Sequence, residues 1–296
     1  MSKRTSRPEF LGGDGSSFEG EYLLEEKNSW VLKQKELITL DHCGLWTKRE
    51  TALAWKYKVN SVTVTNLQFG KRKSADWLLD LPPLRSLSIS LWIPVDIKAL
   101  ERLTELRELR IDFDIWRVGD QFQPVDLTGL HKLQFADVMM CRAVESILQC
   151  ESIVELTVRN ECDGRLRDLD LSRLRSLYYL GLDHCAKLNS VKLHPKAKIR
   201  GLALTSCGAY KIDWPRVGPD LRYLMLGSRL TFPLREILNA PGLIELHTAE
   251  IRKLPPLGFL RRLRHLKTVF IFTAPPGPKL SKEDWALIRK INGGRA

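Results

Sequence analysis

Apolar residues recur along this chain in a fixed pattern. The clearest copy is Leu174–Cys185, LRSLYYLGLDHC, with leucines at positions 174, 177, 180 and 182 and a cysteine at position 185. The central leucines of the copies follow one another every 20 to 24 residues and are Leu87, Leu109, Leu133, Leu156, Leu180, Leu202, Leu224, Leu246 and Leu266. Two fainter copies stand upstream, at Val59-Val62-Val64 and at Ile38-Leu40. Repetition with such a period is the sequence signature of a solenoid.

Apolar and polar residues alternate around each central leucine, as in Leu180–Leu182 and Leu202–Leu204. Alternation of this kind predicts one short parallel strand in each repeat, with one face on the core and one face, the concave face, open to solvent. The segments that return to the next strand differ. The spacing of apolar residues predicts helical returns over Asp96–Leu103, Met139–Leu148 and Pro233–Leu238, whereas Lys187–Ala197 is predicted to be irregular.

The LxxLxL core of each copy, closed by a small residue, resembles the leucine-rich repeat family. Cys43, Cys185 and Cys207 occupy the closing position, three residues past Leu40, Leu182 and Leu204. The copies are irregular and partly of a cysteine-closed type, and they cover residues 30–275. The resemblance implies an α/β solenoid: a horseshoe with a parallel concave sheet and mixed helical and irregular convex returns. It implies little about function, because one scaffold hosts many binding roles.

The two ends of the chain differ from the repeats. Residues 1–20 are rich in Gly, Ser and charge and are predicted to be a disordered tail. Residues 21–275 are predicted to form the solenoid, which begins with an N-terminal cap that covers its open edge. Residues 276–296 are predicted to form a C-terminal capping helix, because Ser281 and Asp284 match a capping box and Gly293-Gly294 a helix stop.

Composition restricts the class of protein. The 296 residues are 44% apolar, which is enough for a core, and a solenoid of this length is one continuous domain. Apolar runs are far shorter than the roughly 20 residues of a membrane-spanning helix. The start, MSKRTSRPEF, is charged and has no apolar stretch of the kind found in secretory signals. We therefore expect a cytoplasmic monomer that contacts no membrane.

The six cysteines do not resemble a disulfide framework in a chain of this length. Cys185 and Cys207 lie one repeat apart, and we expect a reduced pair, although the spacing alone leaves a bond between them open. His42-Cys43 and His184-Cys185 are similar but are separated by six strand spacings, about 29 Å, so they cannot share an ion. No zinc-type or phosphate-cradling motif is present, so we expect no metal and no cofactor.

The alternation also predicts which side chains lie on the concave face. Tyrosine and arginine beside small residues are typical of protein-binding surfaces. The predicted contact residues are Arg110, Asp112, Arg159, Tyr179, Asp183, His184, Tyr223 and His247. In the Leu133 and Leu266 repeats the same counting places on this face Lys132, Gln134, Ala136, His265, Lys267 and Val269.

The net charge of +12 is compatible with acidic partners, including nucleic acid or the ribosome. Much of the excess of positive over negative side chains lies after residue 252. A second basic feature precedes the strands, two positions before the central leucine, and consists of Arg85, Arg107, Arg200, Arg222 and Arg264. Because Val154, Tyr178 and Ile244 interrupt this row, it suits coverage of apolar surface by arginine stems better than the tracking of a phosphate backbone.

A catalytic hypothesis rests on the column four positions after the central leucine. Its members are Asp137, Asn160, His184, Ser206, Ser228 and Glu250. His184 and Ser206 would be neighbours and, with Asp183, suggest a hydrolase triad. However, nothing supplies an oxyanion hole, and alternation along a strand predicts that Asp183 points away from His184.

These patterns favour a protein that is not an enzyme and that binds another protein on its concave face. A narrower hypothesis of the same class is an inhibitor, such as an immunity protein that neutralises a toxin or an enzyme. Two hypotheses of different classes remain: nucleic-acid binding through the basic C-terminal end, and hydrolysis at His184 and Ser206.

Overall fold

A computed structural model describes most of the chain. The described residues are 21–26, 28–68, 74–91, 95–113, 122–160, 166–207, 213–227, 234–249, 255–272 and 279–293. The predicted tail, residues 1–20, lies outside them.

The described residues form fifteen strands, thirteen of which belong to one sheet. In chain order the strands are β1 (Glu21–Glu26), β2 (Ser29–Gln34), β3 (Leu37–Leu45), β4 (Ser61–Gln68), β5 (Ser86–Leu91), β6 (Glu108–Phe113), β7 (Phe135–Met139), β8 (Glu155–Arg159), β9 (Asp168–Leu171), β10 (Tyr179–Asp183), β11 (Ser190–Leu193), β12 (Gly201–Thr205), β13 (Tyr223–Leu226), β14 (Glu245–Ala249) and β15 (Thr268–Phe272). Only β9 and β11 lie outside the large sheet, where they pair with each other. Strands β1 to β3 are antiparallel, and from β3 to β15 every pair in the large sheet is parallel.

Each repeat places the same two apolar positions of its strand on the core. Leu156, Leu180, Leu202 and Leu224 are aligned across β8, β10, β12 and β13, and all are 2% exposed or less. Burying each leucine contributes roughly 1.5–3 kcal/mol relative to leaving it in water. The identical register of one strand after another confirms the leucine-rich-repeat solenoid. The face of the sheet that turns away from this core is the concave face.

For two repeats, the residue predicted to take the central position of the strand is wrong. Ala136, not Leu133, is aligned with Leu109 and Leu156, and Val269, not Leu266, is aligned with Leu246. Leu133 and Leu266 are buried all the same, one turn before the strand. The error arose because the chain offers apolar residues every third position here, so the leucine one turn early imitated the strand leucine.

This shift changes which residues these two repeats present. Lys132, Gln134, His265 and Lys267 precede the strands, and Ala136 and Val269 are buried rather than concave. The concave-facing positions are instead Phe135, Asp137, Met139, Thr268, Phe270 and Phe272.

The convex returns are mainly 3₁₀ helices. They span Asp76–Asp80, Lys98–Arg102, Arg142–Gln149, Leu234–Asn239 and Leu257–Arg262. Three of them confirm the predicted helical returns. The return over Lys187–Ala197, predicted to be irregular, contains β11, which pairs in parallel with β9 in the preceding return. Hydrogen bonding between neighbouring returns thus adds a short second sheet.

The first repeat is covered by the antiparallel strands β1 and β2. His42 takes the second apolar position of β3 and is 2% exposed, with Nδ1 3.0 Å from Ser29 Oγ and Nε2 3.1 Å from the carbonyl oxygen of Leu45. Cys43 therefore lies on the strand itself, where its amide donates to the carbonyl of Asn28, and the predicted closing role of Cys43 is wrong. Helix α1 (Lys48–Lys56) follows, with Thr47 as its N-cap.

Two further helices complete the described chain: α2 (Trp214–Val217), which returns from β12, and α3 (Lys282–Ile291) at the C-terminal end. The predicted capping box of Ser281 and Asp284 is confirmed. Asn292, just past α3, accepts a hydrogen bond from the Val269 amide at 2.8 Å and donates one to its carbonyl at 3.1 Å. These bonds satisfy backbone groups of the last strand, which would otherwise form an open edge.

Candidate functional site

Seven of the eight predicted contact residues lie at concave-facing positions of strands. Arg110 and Asp112 stand on β6, Arg159 on β8, Tyr179 and Asp183 on β10, Tyr223 on β13 and His247 on β14. His184 directly follows β10. The alternation therefore located these side chains correctly, and their role as contacts stays a prediction.

The N-terminal part of this group forms an ion network. Asp137, on β7 between the two arginines, forms ion pairs with both. Its Oδ1 lies 2.8 Å from Nε of Arg159, and its Oδ2 lies 3.0 Å from Nε of Arg110. Arg159 also pairs with Asp112 through Nη1. The side chain of Arg159 is only 20% exposed, so its two carboxylate partners neutralise a charge that is largely withdrawn from water. These two arginines are consequently engaged with acidic side chains of the face itself.

The C-terminal part is an aromatic ladder of four rings: Tyr179, Tyr223, His247 and Phe270. The centroids of Tyr179 and Tyr223 lie 6.3 Å apart, those of Tyr223 and His247 5.2 Å, and those of His247 and Phe270 4.9 Å. All three contacts are tilted, a geometry that aromatic pairs favour. The ladder thus crosses five strands, from β10 to β15, as one connected apolar surface.

Glycine makes the first contact of the ladder possible. Tyr179 and Tyr223 stand on β10 and β13, and Gly201 on β12 lies between them. A Cβ on Gly201 would collide with Cδ2 of the Tyr179 ring. The absence of a side chain therefore lets Tyr179 lean across the intervening strand toward Tyr223.

The ladder ends on strongly exposed rings. Phe270 is 56% exposed and Phe272, two residues later on the same strand, is 61% exposed. Burying an exposed phenylalanine side chain contributes roughly 1.5–3 kcal/mol. Two such neighbouring rings on the concave face therefore form an apolar patch of the kind that binds a partner.

Carboxylates beside the rings give this surface a negative potential. Burial raises the pKa of Tyr179 to about 12, with contributions from Tyr223, Glu155 and Asp137. Burial likewise raises the pKa of Glu155, on the neighbouring strand β8. Tyr179 is therefore a neutral phenol at neutral pH, with an intact ring face and hydroxyl donor.

Sequence reasoning missed several residues of this surface because of the shifted register. The missed residues are Phe135, Asp137, Phe270 and Phe272. A signal was available. Placing Ala136 at the central position makes Cys141 a closing cysteine like Cys185, five residues past the centre, whereas a strand centred on Leu133 would close on Val138.

The column proposed for catalysis is only partly assembled. Asp137 belongs to the concave face, and Ser228 and Glu250 lie outside the described residues. His184 and Ser206 take equivalent places on neighbouring repeats, both with φ of +54°, and the amide of His184 donates to the carbonyl of Thr205 at 2.8 Å.

The expectation that Asp183 points away from His184 is wrong. His184 Nδ1 lies 3.0 Å from Asp183 Oδ1. The left-handed backbone at His184 ends the strand and turns its ring back toward the preceding residue, so alternation no longer applies. The contact between His184 and Asp183 is thus a consequence of the turn that leads the chain out of β10, and the turn explains it without a catalytic role.

The described cysteines are free thiols. Cys185 and Cys207 are fully buried at the closing positions of neighbouring repeats, and Cys207 Sγ donates to the carbonyl of Leu182 at 3.1 Å. A hydrogen bond to Cys207, together with burial, raises the pKa of Cys185. Within the described residues, no three His, Cys, Asp or Glu side chains form a group able to hold a metal ion.

The basic row runs along the N-terminal edge of the strands. Its last member is Lys267 rather than Arg264, since Lys267 continues the backbone ladder from Ile244. Arg85 approaches Glu36 at 3.8 Å, Arg200 lies over the Tyr178 ring at 5.7 Å, and Arg222 donates to the carbonyl of Leu221 at 3.0 Å. Three of these arginines therefore have local partners within the chain, and the coverage of apolar surface by their stems stays a prediction.

No helix among the described residues combines the length and apolarity needed to cross a bilayer. No protein-family model matches the chain, and no curated protein sequence matches it. Among solved structures, an internalin from Listeria monocytogenes is similar, with 17% sequence identity and a TM-score of 0.39 over 88% of this chain and 78% of that chain.

Proposed function

We propose that this protein is a non-catalytic scaffold in the cytoplasm that binds another protein on its concave face. The observation that carries the proposal is the aromatic ladder with the exposed Phe270 and Phe272 beside it. In many protein interfaces a few residues, among which Tyr is enriched, supply most of the binding energy.

The rigidity of the face supports the same proposal. Each strand is hydrogen-bonded on both sides from β4 to β14 of the large sheet, and the ring contacts fix the side chains against one another. A surface that is already ordered loses little conformational entropy on association. Tight binding then requires shape and charge complementarity and no chemistry.

Affinity capture from the native cells, followed by titration of the purified partner, tests the proposal. The variant Tyr223→Ser/Phe270→Ser removes two rings of the ladder, and we expect affinity to fall at least about tenfold. The matched control Trp55→Ser/Trp285→Ser removes two exposed rings from other surfaces and should leave affinity unchanged. Equal affinity of the ladder variant and the native chain would contradict the proposal.

A further inference from the structure

Acidic and aromatic side chains form one row across the concave face. They take the same strand position on successive strands, one residue before the central apolar position, with Gly201 of β12 in the only gap between β6 and β14. The members of this acidic–aromatic row are Glu108, Phe135, Glu155, Tyr179, Tyr223 and Glu245. With strands about 4.8 Å apart, Glu108 and Glu155 stand about 10 Å apart, with the ring of Phe135 between them.

The concave face is acidic on a basic chain. Its described positions on β3 to β15 carry seven carboxylates and two guanidiniums, a net charge of −5, whereas the whole chain carries +12. The carboxylates are Asp41, Glu108, Asp112, Asp137, Glu155, Asp183 and Glu245, and the guanidiniums are Arg110 and Arg159. Excess negative charge on one face of a positive protein favours a partner that brings positive charge to that face.

The two arginines do not offset the acidic row. Arg110 and Arg159 are bound by Asp112 and Asp137, so that network is already neutral. In the described part of the chain, no ion pair joins Glu108 or Glu155 to a basic side chain. These two glutamates instead line a depression of about 380 Å³ together with Phe135 and with the ion pair of Arg110 and Asp137.

The pairing of carboxylates with ring faces is suited to one kind of side chain. A ring face attracts a cation, and a carboxylate accepts hydrogen bonds from it, so a guanidinium or ammonium group can use both at once. Glu155 beside Tyr179, and Glu245 beside Tyr223, repeat this combination along the row. An acidic peptide or a nucleic-acid strand would meet repulsion at each of these points.

We propose, as a refinement that rests on the proposed function, that the partner lays an extended basic segment across the acidic–aromatic row. Its arginine or lysine side chains enter the depression between Glu108 and Glu155 and stack on Tyr179. Arginine is favoured over lysine, because its planar group can stack on a ring while it donates to a carboxylate in two places.

Synthetic peptides test this chemistry on the full chain. The probe is a twelve-residue peptide of alternating Gly and Arg, titrated calorimetrically at low salt, with Gly-Lys and Gly-Glu peptides of equal length for comparison. We expect the Arg peptide to bind more tightly than the Lys peptide, and both affinities to fall as salt is raised. The Glu peptide reports attraction to the basic surface outside the concave face, and failure of the arginine peptide to bind would overturn the proposal.

Isosteric variants locate the binding. Glu108→Gln/Glu155→Gln should weaken the arginine peptide about tenfold, a loss of about 1.4 kcal/mol. Glu145→Gln/Glu151→Gln makes the same change in net charge at exposed positions on the return side and should have no effect. Equal losses in the two double variants would mean general attraction to the chain and would overturn the proposal.

A third pair of variants isolates the ring. Tyr179→Phe keeps the ring face and should bind the peptide as the native chain does, whereas Tyr179→Leu should bind about fivefold more weakly. Equal affinities of the two would overturn the stacking. If the arginine peptide fails but Tyr223→Ser/Phe270→Ser still loses the natural partner, the concave face binds a partner of other chemistry. If that loss is absent too, the proposed function itself is wrong.

Discussion

Nε of Arg159 lies 2.8 Å from Oδ1 of Asp137, on the neighbouring strand of the concave face. Because Arg159 also binds Asp112 and is only 20% exposed, its removal leaves two partly withdrawn carboxylates side by side. We expect Arg159→Met to lower the free energy of unfolding by about 2–3 kcal/mol. Denaturant titration measures this.

Arg110 provides the control for that prediction. It makes one ion pair to Asp137 and its side chain is 59% exposed, so Arg110→Met should cost less than about 1 kcal/mol. If the two substitutions lowered the free energy of unfolding equally, Arg159 would not be the arginine on which the ion network depends. This difference also means that Arg159 is a poor choice for testing partner binding, because its loss perturbs the face itself.

The register at β7 can be tested by two adjacent substitutions. Phe135 is 38% exposed and Ala136 is 5% exposed, whereas a strand centred on Leu133 would reverse the two. Phe135→Gln should therefore change the free energy of unfolding by no more than about 1 kcal/mol, and Ala136→Gln should cost more than about 2 kcal/mol or prevent folding, because it forces a larger polar side chain into the core. The opposite order, measured by thermal or denaturant unfolding, would restore the Leu133 register.

Much of the architecture could be predicted from the sequence, because the spacing of the leucines gives both the repeat length and the alternation along each strand. The slip at Leu133 and Leu266 shows the limit of that reasoning. Both leucines are buried, so burial alone cannot tell a strand position from the turn before it. The parallel strands β9 and β11 were missed for a related reason: they are four residues each, and their pairing depends on the neighbouring return rather than on local pattern.

The site was predictable in outline and not in its contacts. Alternation placed Tyr179, Tyr223 and His247 on the concave face, but their ring contacts depend on the room left by Gly201. Alternation also cannot describe the end of a strand, where a left-handed residue turns His184 toward Asp183. Ion partners such as Asp137 follow only once the register is known.

Glu155 predicts a pH-dependent stability. Burial raises the pKa of this carboxyl above its unfolded value, and Phe135 on β7 and Tyr179 on β10 are its cross-strand neighbours. Its ionised form therefore opposes folding, a cost that is absent below the unfolded pKa and fully present above the folded one. Glu155→Gln should stabilise the chain at pH 7 and leave it unchanged at about pH 3.

The control for this pH effect is Glu145→Gln, at an exposed position of a 3₁₀ return. It should change the free energy of unfolding by less than about 0.5 kcal/mol at either pH. Destabilisation by Glu155→Gln at pH 7 would show that a partner within the chain stabilises the carboxylate, and it would contradict the prediction that ionisation of Glu155 opposes folding.

His184 predicts a backbone effect that does not depend on its imidazole. Its φ of +54° is costly for branched side chains and free for glycine. His184→Val should therefore be about 1–2 kcal/mol less stable than His184→Gly. Equal stabilities of the two variants in denaturant titrations would argue against the left-handed turn and reopen a different role for the side chain.

Photo-crosslinking tests the central claim most directly. A benzophenone amino acid is placed at Met225, on the concave face between Ala203 and His247, and separately at Glu145 on the return side. Irradiation in the native cells should join a partner protein to the chain only from position 225, and the added substitution Phe270→Ser should remove that product. Crosslinks from position 145 alone would show that the partner docks on the convex side.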